Sequence, residues 1–270
     1  MKHDSSIRFG YADGPFGQIH YARAGKGPPL LCLHQTPRSW DEYADLIPLL
    51  ASHLDVIAMD TPGMGASALG SVAASIEVYA TAAAALLDGL GLDRANVIGH
   101  HTGGVIAIEL AARHPRRVDR LVLSSTPYVD AAARARRANR APIDSVEMAG
   151  DGSHLAEWWR RRQSFYPVDR PDILQRFVHD AIAAREVEEG HLAVGRYRME
   201  ETIGLVRAPT LCIGASADPY AFPELEPLSR RIAGAATTVI EGGTVGLLEH
   251  KSAEVANAVV GFLLGDGVVL

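Results

Sequence analysis

The run Ala95-Asn96-Val97-Ile98-Gly99-His100-His101-Thr102-Gly103-Gly104-Val105-Ile106-Ala107 holds the residues best placed for chemistry. A β-branched apolar pair, Val97-Ile98, meets Gly-His-His-Thr-Gly-Gly, and helix formers follow. The pattern predicts a strand, a sharp turn and a helix, with glycines flanking one side chain held up at the apex. Counted from Gly99 to Gly103, the apex is His101. A serine there would be a nucleophile, whereas an imidazole offers a general base. His100 reads as a packing neighbour. Adjacent histidines on a tight turn point different ways, and no H-x-x-x-H or clustered carboxylate supplies further ligands. No metal and no cofactor are therefore expected.

The elements that must position this turn alternate along the chain. Residues 5–24 read as two short strands around Asp13-Gly14. Leu30-Leu31-Cys32-Leu33 is a continuous apolar run, as in a strand buried on both faces, and it leads into His34-Gln35-Thr36-Pro37-Arg38. A helical pattern covers Asp41 to Leu50. A second buried strand, Val56 to Met59, ends at Asp60-Thr61-Pro62-Gly63-Met64-Gly65-Ala66-Ser67. An Ala-rich helix over Ile76 to Leu90, the apex strand with its helix (Thr102 to Arg113), and the strand Leu121-Val122-Leu123 follow. Residues 127–207 change character: Ala- and Arg-rich helical patterns, Trp158-Trp159, and no convincing strand. Strands resume at Thr210 to Ile213 and Thr237 to Ile240, with helices near Pro223 to Ile232 and Ser252 to Leu264. This order predicts an α/β fold with a mostly parallel sheet, helices on both faces and an inserted helical cap. The core comprises residues 1–126 and 208–270 and the cap residues 127–207.

At 270 residues the chain can bury a substantial core, and 47% apolar with 21% charged residues is ordinary for a globular enzyme. A net charge of -6 gives no electrostatic reason to expect nucleic acid. Cys32 and Cys212 fall inside expected strands, as buried thiols do. Residues 1–6 lack the apolar core of a leader and no run is long enough to span a membrane, so a cytoplasmic location is expected.

Three motifs in this order, His34-Gln35, Asp60-x-Pro-Gly-x-Gly-x-Ser67 and the glycine-flanked turn, make the chain resemble the α/β-hydrolase-fold superfamily with a helical cap. In that family the turn is the nucleophile elbow and carries Ser, Asp or Cys. Here it carries His101. The family's loop histidine precedes a Glu by five residues; counted back from Glu249, that position holds Thr244. The family acid after the Thr210–Ile213 strand is retained as Asp218. The resemblance implies an oxyanion hole from the backbone N–H groups of Thr102 and Gln35, and it places His34 in hydrogen bonds within its own loop or beside substrate. With Thr244 small, the imidazole at 101 would extend toward the volume the loop histidine normally fills.

Arg38 is either a clamp for a substrate carboxylate or a solvated side chain. Tyr128, Trp158, Trp159, Tyr166 and Tyr197 are candidates to line the pocket, against the alternative of cap-to-core packing. One indole is expected close to the elbow, to exclude water from a small, mainly apolar carbonyl substrate. His154, His179 and His191 carry no motif. The leading expectation is a hydrolase of ester, lactone or carbon–carbon bonds with His101 as base. A lyase, an isomerase or a cofactor-free oxygenase on the same site stands beside it, as does a ligand-binding protein without catalysis. A further reading uses Ser124 or Ser125 with His250. The expected partner is a small-molecule substrate, with a homodimer possible.

Overall fold

The computed structural model describes residues 6–138 and 140–265, so the amino-terminal residues read for a leader lie largely outside it. In chain order the elements are β1 (Arg8–Gly14), β2 (Gly17–Gly25), β3 (Pro29–Leu33), α1 (Ile47–Leu50), β4 (Asp55–Met59), α2 (Ile76–Gly89), β5 (Ala95–His100), α3 (Thr102–Arg113) and β6 (Val118–Ser124). Then come α4 (Ala131–Ala138), α5 (Ser153–Arg162), α6 (Pro171–Ala183) and α7 (Glu189–Arg196), followed by β7 (Thr210–Ala215), α8 (Leu225–Ser229), β8 (Ala236–Ile240), α9 (Leu247–His250) and α10 (Ser252–Leu264). The helical pattern from Asp41 to Leu50 is split: a 3-10 turn covers Trp40–Tyr43, and α1 starts four residues later.

The strands form one eight-stranded sheet in the order β1-β2-β4-β3-β5-β6-β7-β8. β1 and β2 are antiparallel to their neighbours, and every pairing from β4 to β8 is parallel. Alternate residues of each strand feed opposite faces, because successive side chains point to opposite sides. Leu31 and Leu33 of β3 pack with α2 and α3, through Tyr79, Leu86, Val105 and Ile106. Leu30 and Cys32 pack with α1 and α10, through Ile47, Leu50, Val255 and Val259. Both faces of β3, β4 and β5 are thereby covered, which explains their unbroken apolar runs.

The register sets the site. Leu33 of β3 lies opposite Gly99 of β5, and His100 opposite Ser124 of β6. The loops carrying His34, His101, Ser125 and Asp218 therefore leave neighbouring strands at the same edge. Between β6 and β7 the described residues form helices and turns with no strand. A third apolar cluster ties that segment to the loop after β8: Trp158, Tyr166, Ile173, Leu174 and Phe177 meet Val245.

Candidate active site

β5 ends in the turn its glycines demand. A Cβ on Gly99 would collide with the carbonyl of Gly103, and one on Gly103 with the carbonyl of Leu33. With these approaches fixed, His101 is forced to φ 46°, ψ -111° immediately before α3. Such a conformation is costly for a residue with a side chain and persists only where the surroundings over-determine it. Here a fully buried strand and the helix it launches do so.

The imidazole so presented reaches Asp218: His101 Nε2 lies 2.8 Å from Asp218 Oδ2. The two atoms are close but not aligned as a regular hydrogen bond. Asp218 is 1% exposed, and its other oxygen accepts the N–H groups of Tyr220 and Ala221 at 2.9 and 3.1 Å. Burial alone would push this carboxyl up. The His101 charge and the backbone donors outweigh it and hold the pKa down to about 2. An ionised carboxylate oxygen 2.8 Å from a ring nitrogen requires a proton on that nitrogen. Nε2 therefore carries hydrogen, and in the neutral ring the lone pair lies on Nδ1.

His101 and Thr102 line a cavity of about 130 Å³ with Gln35, Thr36, Tyr220 and Val245 from the core side and with Pro127 at the start of the inserted segment. Arg137, Arg140, Ile143, Arg162, His191 and Val194 line it from the segment between β6 and β7. Thr102 is the first residue of α3, so its N–H has no acceptor within the helix and is left for an anion or a developing oxyanion.

Residues 28–243 match the family described as alpha/beta hydrolase fold. The chain belongs to that family. A putative non-heme haloperoxidase of Mycobacterium phage D29 is 35% identical over 214 residues, 73% of this chain and 75% of that protein. A soluble epoxide hydrolase of Corynebacterium sp. (strain C12) is 39% identical over 106 residues, which are 39% of this chain and only 37% of the enzyme. Among solved structures, the enol-lactonase from Burkholderia xenovorans LB400 aligns with a TM-score of 0.78 at 22% identity, covering 94% of this chain and 100% of that one. At that identity the likeness shows the shared fold alone.

Within this α/β-hydrolase fold several expected site residues take other places. The Gln35 N–H donates to Glu42 Oε2 at 2.8 Å and its Nε2 to Glu42 Oε1 at 2.5 Å. That N–H is spent inside its own loop, so Gln35 lines the cavity without offering the expected backbone donor. His34 does not line the cavity. Its Nε2 accepts the Thr61 N–H at 2.9 Å, leaving Nδ1–H to donate to the Gln35 carbonyl at 2.8 Å. It joins the loops after β3 and β4. The Asp60 motif serves the same junction, its carboxylate bonding His20, the Trp40 N–H and the Ala66 N–H.

Arg38 is neither a substrate clamp nor solvated. It is fully buried and bound to Asp180 Oδ2 at 2.8 Å and to both oxygens of Glu249 at 2.9 and 3.1 Å. The indoles also leave the pocket. Trp158 donates from Nε1 to the Asp144 carbonyl at 2.6 Å inside the third cluster, and Trp159 is 37% exposed. Tyr166 packs in that cluster. Tyr128 packs in the core under Arg231. Tyr197 bonds Glu109 and Thr202 at 2.7 and 2.6 Å. None of these aromatics lines the cavity: Trp159 is exposed, and each of the others has an apolar or polar partner in the packing. The expectation of an indole close to the elbow is thereby corrected.

Thr244 stands half-buried in the loop after β8 with no partner for its hydroxyl. His100 is fully buried: its Nε2–H donates to the Val245 carbonyl at 3.0 Å and its Nδ1 accepts from the Ser124 hydroxyl at 3.0 Å. Burial lowers its pKa to about 4, so it is neutral near pH 7. Ser124 is thus engaged, and among the described residues neither Ser124 nor Ser125 bonds His250, which removes the geometric basis of the serine reading. Sequence reasoning missed His191, Arg137, Arg140 and Arg162, which reach the cavity wall only through the folding of the inserted helices, and Tyr220, which reaches it from the loop after β7; no motif surrounds any of them.

Proposed function

We propose that this chain is a hydrolase in which His101 is a general base that activates water against a carbonyl carbon. The observation that carries the reading is the 2.8 Å approach of Nε2 to an ionised, buried Asp218 at the apex of the elbow. Asp218 fixes the proton on Nε2, so Nδ1 takes a proton from water as its oxygen bonds to the carbonyl carbon. The resulting oxyanion is met by the Thr102 N–H and the positive end of α3. The imidazolium, held by Asp218, then returns its proton to the leaving oxygen as the carbon–oxygen bond breaks. Because the apex lacks a hydroxyl or thiol, no acyl-serine intermediate forms. The soluble epoxide hydrolase among the relatives supports the reaction class, and the imidazole at the elbow supports the departure from serine chemistry.

The test is turnover of a panel of aryl esters and lactones by wild type, His101→Ala and Asp218→Asn. Removing a positioned base costs about 10²–10⁴-fold in rate, so His101→Ala should lose that much kcat with unchanged folding by circular dichroism. Asp218→Asn should lose kcat with little change in KM. A fluorophosphonate probe should leave the wild type unlabelled. Equal rates for wild type and His101→Ala would overturn the reading.

A further inference from the structure

We infer that the substrate carries a carboxylate, bound by Arg137 and Arg140 beside the bond that the His101 site cleaves; this rests on the hydrolase reading of that site.

Four arginines lie in or just after α4, and they divide cleanly. Arg134 is paired with Glu200, donating from Nη1 and Nη2, and Arg136 reaches Glu224 at 3.9 Å. Arg137 and Arg140 have no acidic partner among the described residues, and these two line the cavity with His101 and Thr102. Arg140 is placed by its stack on the Tyr220 ring, 5.4 Å from the centroid, and Tyr220 follows Asp218 by two residues. Arg137 is half-buried. Burial lowers its pKa and the like charges of Arg140 and Arg136 lower it further, against a partial offset from Glu224. A desolvated guanidinium facing like charges is a site short of an anion.

The remaining walls do not supply that anion. Among the described residues no Asp or Glu lines the cavity. Its other basic side chains, Arg162 and His191, share the single carboxylate of Asp144, the latter at 2.7 Å. An adjoining cavity of about 340 Å³ shares Arg137, Arg140 and His191 and adds Arg196. Its acidic lining residue is Glu188, whose oxygens accept the N–H groups of Ile143, Asp144 and Ser145. The route to His101 is therefore cationic on the cap side. Guanidinium forks bind the two oxygens of a carboxylate side by side, giving orientation as well as affinity, and the small cavity favours a short acid.

The experiment uses glutarate against its neutral isostere glutaramide in equilibrium binding by calorimetry, and the p-nitrophenyl half-ester of glutarate against p-nitrophenyl pentanoate in turnover. A charge-assisted contact should favour the anion by about 10- to 100-fold. Arg137→Gln with Arg140→Gln should abolish the preference, read as the ratio of kcat/KM between the two esters and of the two affinities, with the circular dichroism spectrum of the wild type retained. Arg137→Lys should retain part of it. Equal binding of glutarate and glutaramide, or a preference that survives the double substitution, overturns the inference. Preferred glutarate binding without turnover of either ester would instead sink the hydrolase reading and leave the anion site standing.

Discussion

His100 and His101 stand edge to face, ring centroids 4.7 Å apart, and only their partners separate their roles. His100 spends both nitrogens on Ser124 and Val245, while His101 keeps one nitrogen beyond its contact with Asp218. We propose that Thr244 fills the position family members give to the loop histidine. The Gly243 carbonyl accepts the Ala217 N–H at 2.8 Å, which holds residue 244 beside the turn bearing Asp218. On that reading the imidazole stands at the elbow in place of the loop, with its carboxylate retained. His101→Ser alone should then remain inert to fluorophosphonate, because no base reaches the new hydroxyl. His101→Ser with Thr244→His should regain labelling and some hydrolysis of activated esters, read by gel fluorescence and nitrophenol release. Labelling of the single variant as strong as that of the pair would show that Thr244 does not occupy the base position. Sequence spacing singled out His101 and Asp218, which the fold brings within 2.8 Å of each other. It failed for Gln35 and Arg38, whose partners Glu42, Asp180 and Glu249 are chosen by packing at sequence distances up to 211 residues.

At the scale of elements, the loop after β3 joins the sheet to the inserted helices. Arg38 on that loop binds Asp180 of α6 and Glu249 of α9, and the Ser39 hydroxyl adds a bond to Asp180 at 3.0 Å. Taking one member from a buried ion pair costs about 3–5 kcal/mol, because the partner charge is left uncompensated. Arg38→Met should therefore lower the urea midpoint sharply. Asp180→Asn should cost less, since the amide oxygen still accepts from Ser39. Equal midpoints for wild type and Arg38→Met would remove this junction from the account of stability. Helix formation in the inserted segment was legible from composition, because Ala- and Arg-rich stretches without β-branched runs favour it. Which faces those helices turn inward was not. Trp158 looked like a pocket wall from its size but serves as a cap-internal anchor, and Arg137, which carries no motif, lines the cavity.

Across the whole molecule, the alternation of strands and helices predicted the parallel sheet, and the observed order adds the two antiparallel strands at one edge. What alternation does not carry is the charge held between sheet and cap. Asp41, Glu42, Asp180 and Glu249 are buried there around Arg38 and Arg176, so carboxylates outnumber guanidiniums. Burial pushes Glu249 up to about 7, and the attraction of Arg38 and Arg176 only partly opposes it. A carboxyl whose folded pKa lies above its unfolded value of about 4.3 takes up protons on folding. Its contribution is fully present below the unfolded value and is lost as pH rises through about 7. The slope approaches one proton, about 1.4 kcal/mol per pH unit. His179, raised by its bond to Asp180, contributes with the same sign, but it is present in both proteins and cancels in a difference. Asp218 and Asp144, both held low, act on the acid side of this window. Urea midpoints of wild type minus Glu249→Gln, measured from pH 4.5 to 8, should therefore fall steadily with rising pH and level off above 7. A flat difference would mean that Glu249 is ionised throughout and that its two arginines overcome burial.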